Sequence, residues 1–94
     1  MMTIEEIKNK STPVLQNAGV TKSSLFGSVA TGSNINSSDI DFLVDLPKGK
    51  TLFDFVNLKL ALEETLGIEV DLVQFGAIKP AIKDRVLKEQ IPIL

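Results

Sequence analysis

The sequence predicts a small α/β domain, in which a mixed β-sheet of about three strands carries helices mainly on one face. Two observations lead to this prediction. Segments in which apolar and polar residues alternate are separated by segments with the apolar spacing of helices. The chain also has only 94 residues, of which 44% are hydrophobic and 23% charged. These values are typical of one small domain, spanning 1–94, with a single modest core.

The first predicted helix covers about residues 3–18. Thr3 can cap its start, and Glu6, three residues further on, completes a capping box. Gly19 is the expected stop signal. Pro13 lies inside this segment and cannot donate a backbone hydrogen bond, so we expect the helix to be interrupted there.

Three segments read as strands. A short strand in "VTKSSLFGS" ends at Gly27 and leads into a turn of small residues. The segment "SDIDFLVDL" alternates, which predicts one apolar face formed by Ile40, Phe42, Val44 and Leu46, and an opposite face formed by Asp39, Asp41, Leu43 and Asp45. The segment "IEVDLVQF" alternates in the same way, and we expect the acidic face of the sheet to be partly open.

Two further helices are predicted. The helix at 51–66 has Thr51 as its cap and Gly67 as its stop. It is apolar over more than one face, so we expect it to bury a second face against another surface. The segment "IKPAIKDRVLKEQ" predicts a final amphipathic helix with Pro80 in its first turn, where proline is tolerated. The last four residues, "IPIL", read as an apolar tail.

The composition excludes several kinds of site. The chain has no Cys and no His, which removes disulfides, thiolate nucleophiles, zinc–thiolate sites and Ser-His-Asp triads. Its net charge of −2 is spread along the sequence, which argues against direct nucleic-acid binding. No apolar run is long enough to span a bilayer, and the first residues do not resemble a signal peptide. We therefore expect a cytoplasmic protein that does not associate with membranes.

Two aspartates occupy one face of the predicted middle strand. Side chains at i and i+2 lie about 6.6 Å apart on a strand, so Asp39 and Asp41 can converge, and Asp71 on a neighbouring strand can join them. Three carboxylates without His or Cys suit Mg²⁺ or Mn²⁺, and two such ions can clamp the attacking and leaving oxygens of a phosphoryl or nucleotidyl transfer. The alternative is a set of solvated strand acids, which is our interpretation of Asp45 and Glu69.

The turn before these acids contains a Gly-Ser pair. Gly27 has no Cβ, so a phosphate can approach the backbone, and Ser28 with the following amides can donate hydrogen bonds to it. A Gly-Ser pair alone is usually only a turn. Followed by a pair of carboxylates, it is what an enzyme that acts on a metal–nucleotide complex requires.

These motifs together resemble a known family. "GSVATG" followed by "SDIDFLVD" is similar to the G-S-x-x-x-G…S-D-I-D signature of the DNA polymerase β-like nucleotidyltransferase superfamily, and above all to its minimal nucleotidyltransferases (MNT domains). "EVDLV" fits the strand that carries the third acid in this family, and "IKP" fits the start of its last helix. The resemblance covers nearly the whole chain and implies the nucleotidyltransferase fold.

The resemblance also implies an activity and a partner. The expected reaction is Mg²⁺-dependent transfer of AMP from ATP to a hydroxyl. Asp39 and Asp41 would bind metal, Asp71 would be the third acid and assist the attacking hydroxyl, and Gly27 and Ser28 would hold the phosphates. Many such proteins are encoded beside a HEPN-domain partner and act as its antitoxin, so a hydroxyl on that partner is the expected acceptor.

One departure from the family pattern keeps other functions open. Many relatives carry G-S-R-A-R-G in the turn, whereas this chain has Val29 and Thr31 at the basic positions. The loss of two positive charges favours an antitoxin that neutralises its partner by binding, with helix 51–66 and the tail as contact surface or as the surface of a homo- or hetero-oligomer. A nucleotidyltransferase for a small molecule of the aminoglycoside type is a third alternative, although no pocket-building extension is visible.

Overall fold

The structure is a computed structural model that describes residues 3–26 and 39–94. Its elements, in chain order, are α1 (Ile4–Asn17), β1 (Lys22–Phe26), β2 (Asp39–Asp45), α2 (Leu52–Leu66), β3 (Glu69–Gln74), a single 3₁₀ turn (Phe75–Ala77), α3 (Pro80–Glu89) and β4 (Ile91–Pro92). This is the predicted order of helices and strands, with one strand more than expected.

The sheet has the strand order β3-β2-β1-β4. β2 runs parallel to β3 and antiparallel to β1, and β4 is antiparallel to β1. The mixed sheet is therefore confirmed, but the strand count of about three was too low. The fourth strand comes from the tail, where Ile91 pairs with Leu25 and Pro92 pairs with Ser24. A two-residue strand is too short to show a periodic pattern in the sequence. It is recognised as a strand only because it pairs with the edge of β1.

The tail contributes one side chain to the core. The Ile93 amide donates to the Ser23 carbonyl at 3.0 Å, and the Ile93 side chain is only 4% exposed. The Ile93 side chain is therefore not available for docking, whereas Pro92 is exposed and Ile91 and Leu94 are half-buried, so a docking surface at the tail stays a prediction.

Helix α1 runs without a break from Ile4 to Asn17. The Thr3–Glu6 capping box is present, with the Thr3 hydroxyl accepting from the Glu6 amide at 3.1 Å. The predicted interruption at Pro13 is wrong. Pro13 and Asn9, whose carbonyl loses its helical donor, are both exposed, so water can replace the missing hydrogen bond.

Helices α1 and α2 cover one face of the sheet. A single buried cluster joins the inward side of β1 and β2 to the two helices; it includes Ile7, Leu15, Leu25, Ile40, Phe42, Val44, Leu58 and Leu62. Of the four residues predicted on the apolar face of β2, Ile40, Phe42 and Val44 are fully buried, and Leu46 packs at the margin of the cluster. The prediction that the helices pack mainly on one face is confirmed for α1 and α2.

The other face of the sheet is covered in its middle and open at one end. Leu43 and Ser24, which are register partners on this face, are both fully buried, and the 3₁₀ turn packs against β2. Towards the start of β2, by contrast, Asp41 is only half-buried and Asp71 is exposed. The expectation of a partly open acidic face therefore holds at the Asp41 end only.

Helix α2 begins and ends as predicted. The Thr51 hydroxyl accepts from the Asp54 amide at 3.3 Å, and Gly67 takes the left-handed conformation with φ 73°. The second apolar face of α2 is not covered by the other described residues, since Phe53 is 82% exposed. In the part of the chain that the structure describes, no helix has the length and apolar character needed to cross a membrane.

Candidate active site

The register of the parallel strands places two acids opposite each other. The chain leaves β2, crosses the core face as α2 and returns as β3, which is the connection that parallel neighbours require. In the resulting register Asp41 is the partner of Asp71. Neighbouring strands lie about 4.8 Å apart, so the two carboxyl groups project from adjacent positions on one face. The sequence predicted this meeting only on condition of a suitable register.

The remaining predicted acid, Asp39, begins β2. Its backbone lies two residues before Asp41 and is in register with Glu69. The structure describes the backbone of Asp39 but not its side chain. Among the acidic side chains of 3–26 and 40–94, no three lie together in a way that could hold a metal ion. The three-carboxylate metal site therefore stays a prediction, of which the described residues contain the Asp41–Asp71 pair.

The predicted phosphate turn, with Gly27 and Ser28, lies outside the described residues. The residues on either side of it are informative. Phe26, directly before the turn, is the register partner of Asp41 on β1, and Asp39, directly after segment 27–38, belongs to the same end of β2. The chain therefore leaves the sheet and re-enters it beside Asp41, which is where a phosphate turn would have to begin and end.

The two ends of the acidic face of β2 differ in their electrostatic surroundings. Asp45 is exposed, and its register partner on β1 is Lys22, so a positive charge is available beside it. Asp41 has Phe26 on one side and Asp71 on the other. Two acids at directly opposite positions repel each other, and a bound cation removes that repulsion. Their oxygen donors fit a hard divalent cation such as Mg²⁺.

One residue that sequence reasoning missed holds β3 in place. The Glu63 carboxylate, near the end of α2, accepts a hydrogen bond from the Val70 amide at 3.0 Å and one from Lys59 Nζ at 3.3 Å. The Val70 amide is the main cause that keeps the pKa of Glu63 below its ordinary value. Because Val70 directly precedes Asp71, this contact fixes the strand at the residue next to the candidate acid. The i,i+4 spacing of Lys59 and Glu63 is visible in the sequence, but the contact with β3 is not.

A broad open cleft of about 890 Å³ borders Asp71 on the α2 side. Four acidic side chains line it, Glu63, Glu64, Glu69 and Asp71, together with Lys59. The acids repel a triphosphate that arrives without a bound cation.

Comparison with known proteins decides the family. Residues 8–94 match the family described as "Polymerase beta, Nucleotidyltransferase". The chain belongs to this family. The resemblance inferred from the turn and the S-D-I-D motif is thereby confirmed, as is the expectation of an enzyme of the nucleotidyltransferase class.

Two relatives match over almost their whole length. The chain is 47% identical over 93 residues to "Putative protein adenylyltransferase MJ0435" of Methanocaldococcus jannaschii, covering 99% of this chain and 100% of the relative. It is 36% identical over 95 residues to "Protein adenylyltransferase MntA" of Thermococcus cleftensis, covering 97% of this chain and 96% of the relative.

Solved structures confirm the minimal nucleotidyltransferase fold. A structure of a "putative minimal nucleotidyltransferase" superposes with a TM-score of 0.82 at 38% identity, covering 97% of this chain and 96% of the other. A complex of an AMPylated HEPN toxin of Shewanella oneidensis with its MNT antitoxin superposes with a TM-score of 0.72 at 21% identity, covering 96% of this chain and 71% of the other. At that identity the likeness concerns the fold alone.

Proposed function

We propose that this protein transfers AMP from ATP to a hydroxyl group on a partner protein, a HEPN-domain toxin, and acts as its antitoxin in the cytoplasm. The observation that carries the proposal is the register of Asp41 with Asp71. The segment that contains the Gly-Ser pair begins and ends beside these two acids. Within the nucleotidyltransferase family, a carboxylate pair beside a phosphate turn supports attack on the α-phosphorus with pyrophosphate as leaving group.

The residues of this chain have distinct roles in that reaction. Asp39 and Asp41 hold Mg²⁺, in two sites that Mn²⁺ can also fill, and Asp71 accepts the proton of the attacking hydroxyl. The metal supplies charge neutralisation of the triphosphate and of the leaving pyrophosphate. Gly27 allows the phosphates to approach the backbone, and the Ser28 hydroxyl donates a hydrogen bond to them.

Two kinds of similarity support adenylyl transfer to a protein. Both relatives described above carry the name of a protein adenylyltransferase, and the chain aligns with them almost end to end. The structural neighbour from Shewanella oneidensis is an MNT antitoxin in complex with a HEPN toxin that carries AMP groups. The absence of His from this chain also removes a phosphohistidine route for phosphoryl transfer.

The geometry favours a macromolecular acceptor that approaches the acidic face. Asp71 is exposed and Asp41 half-buried, so the described residues do not enclose this end of the sheet in a pocket for a small molecule. An acceptor side chain presented by a protein surface can reach such an open site. A small acceptor would need enclosing walls, which the residues described around Asp41 and Asp71 do not provide.

The decisive experiment follows the label of ATP. The protein is incubated with its HEPN partner, Mg²⁺ and ATP labelled on either the α- or the γ-phosphate. We expect label on the partner from α-labelled ATP only, and none with the Asp71→Asn variant, although that variant still binds the partner. Asp45→Asn is the matched control, because Asp45 is an acid on the same face of β2 with Lys22 as register partner; it should transfer label normally.

A second candidate function is neutralisation by binding alone. The observation that favours it is the presence of Val29 and Thr31 where many relatives have basic residues. If the wild type neutralises its partner without ATP, and the variants at Asp39, Asp41 and Asp71 neutralise it equally well, binding is the function and the proposed transfer is wrong.

A further inference from the structure

Helix α2 carries an exposed apolar surface that the proposed reaction does not use. Four side chains form this surface, which we call the α2 stripe: Leu52, Phe53, Val56 and Leu60, with exposed fractions of 76%, 82%, 42% and 54%. Phe53, Val56 and Leu60 follow the i, i+3, i+7 spacing of one helix face. A contiguous apolar patch of this kind on a small protein marks an interaction surface.

The position of the α2 stripe indicates that its occupant is not the acceptor. The opposite side of α2, with Leu58 and Leu62, is buried against the sheet, so the stripe faces away from the sheet. Asp41 and Asp71 lie on the far face of that sheet, which α1 and α2 do not cover. A partner seated flat on the stripe has the helix layer and the sheet between itself and the acids. The stripe therefore fits an assembly contact that leaves the acidic face free.

The charges at the two ends of α2 point to the kind of occupant. Lys48 and Lys50 precede its N-terminus, and Glu63 and Glu64 lie in its last turns. The helix dipole disfavours positive charge at the N-terminus and negative charge at the C-terminus, so both pairs are unfavourably placed. Among the described residues, Lys48 and Glu64 also take part in no ion pair. An antiparallel helix with the same charges would place acids beside the lysines and lysines beside the acids.

We propose that the α2 stripe binds the α2 stripe of a second copy of this chain, antiparallel, about a two-fold axis that passes between Val56 and Asn57. Phe53 and Leu60 are equally far from that midpoint along the helix, so each packs against the other across the axis. Lys50 comes opposite the turn that carries Glu63 and Glu64. An isologous contact produces each of these pairings twice. The acidic faces of both copies then point outwards, each accessible to an acceptor.

The contact has the dimensions of a weak, reversible dimer. Helix α2, Leu52–Leu66, is about 22 Å long at 1.5 Å per residue, and one pair of such helices buries less area than a standard stable interface. We expect a dissociation constant in roughly the 10–100 µM range. The inference is independent of the proposed chemistry, because it uses no residue of the acidic face.

The first experiment is sedimentation equilibrium of the full chain over a range of concentrations. The wild type should dimerise, and Phe53→Asp should weaken dimerisation at least about 100-fold, since the substitution occurs twice in the apolar centre. Ile82→Asp is the matched control: Ile82 is 49% exposed on α3, outside the stripe, and this variant should dimerise as the wild type does. Circular dichroism checks that each variant is folded.

The second experiment distinguishes a second copy from any other apolar occupant. Lys50→Glu and Glu64→Lys should each weaken self-association about tenfold, because two attractive contacts per dimer become repulsive. Mixing these two variants should restore dimerisation to near the wild-type level, since every cross-contact then joins opposite charges. Glu5→Lys and Lys83→Glu, which make the same charge changes outside the stripe, should neither weaken the dimer alone nor gain affinity when mixed.

Three results would overturn the inference. The first is a wild type that stays monomeric at roughly 1 mM, well above the expected dissociation constant. The second is a dimer that Phe53→Asp leaves intact. The third is a mixture of Lys50→Glu with Glu64→Lys that associates no better than either variant alone. If Phe53→Asp instead abolishes binding of the HEPN partner while the wild type alone is monomeric, the stripe belongs to that partner and not to a second copy.

Discussion

Asp41 on β2 and Asp71 on β3 are register partners on parallel strands, so two acids of different chain segments occupy directly opposite positions. Acids at such positions repel each other in the empty protein. The same arrangement places their oxygens where a divalent cation can be held. The proposed metal site at this pair can be tested by substitution.

Asp41→Asn and Asp71→Asn should each lower the transfer of labelled AMP by at least about 100-fold, because each removes charge that the transition state requires. Asp71→Asn should not lower the melting temperature measured without metal, because it removes the repulsion between the two opposed acids. Calorimetric titration with Mg²⁺–ATP should show weaker binding by Asp41→Asn. Asp45→Asn again serves as control and should leave the transfer rate and Mg²⁺–ATP affinity unchanged. Identical Mg²⁺–ATP affinity in the wild type and Asp41→Asn would refute the metal site.

Substitutions in the Gly-Ser turn should separate backbone access from hydrogen bonding. Gly27→Val should abolish ATP binding, because a β-branched side chain blocks the approach of a phosphate to the backbone. Ser28→Ala removes one hydrogen-bond donor and should reduce transfer by about tenfold. Binding is measured by calorimetry, with circular dichroism to show that the fold is intact. A folded Gly27→Val protein that binds ATP normally would reduce the turn to a structural role.

Glu63 should position β3 in a way that depends on its charge. The Val70 amide, and after it Lys59, lower the pKa of Glu63 from its ordinary value of 4.5. A carboxyl group whose pKa is lower in the folded state stabilises the protein above its ordinary pKa, and this contribution is lost as the pH falls through the folded value. Glu63→Gln should therefore melt below the wild type at pH 7, and the difference should shrink as the pH falls below 4.5.

The control for this prediction is Glu64→Gln, since Glu64 is exposed and makes none of these contacts. Measured at protein concentrations well below the expected dissociation constant of the dimer, its melting temperature should follow the wild type across the same pH range. Amide exchange gives a second readout: the Val70 and Asp71 amides should exchange faster in Glu63→Gln. If Glu63→Gln and Glu64→Gln behave alike at every pH, Glu63 does not hold the strand.

Two neighbouring serines of β1 should respond to alanine in opposite ways. Both are fully buried, but the Ser23 hydroxyl donates to the Leu43 carbonyl at 2.8 Å, whereas the Ser24 hydroxyl has no hydrogen-bond partner among the described residues. Ser23→Ala should lower the free energy of unfolding by about 1 kcal/mol, and Ser24→Ala should raise it by about as much. Urea unfolding measures both. Equal losses in the two variants would mean that the Ser24 hydroxyl is hydrogen-bonded after all.

The helix limits and the faces of the middle strand were predictable because their signals are local. Thr3 with Glu6 marks the start of α1, and Thr51 with Gly67 marks both ends of α2, since capping depends on residues a few positions apart. The alternation in β2 correctly assigned Ile40 and Phe42 to the core. The same local reasoning failed at Pro13, where exposure to water compensates for the missing hydrogen bond, and at the tail, where pairing with β1 creates the fourth strand.

The sequence by itself determined which residues could carry chemistry: the two aspartates of the S-D-I-D motif, Asp71 in a second alternating segment, and the Gly-Ser pair. It also limited that chemistry to carboxylates, hydroxyls, Lys and Arg, since the chain lacks His and Cys. Only the tertiary structure decided that Asp41 faces Asp71, that Glu63 holds the strand beside it, and that Phe53 remains exposed. The reason is that register, edge contacts and residual exposure depend on which distant segments pack together, and a pattern read along one segment contains no information about its neighbour.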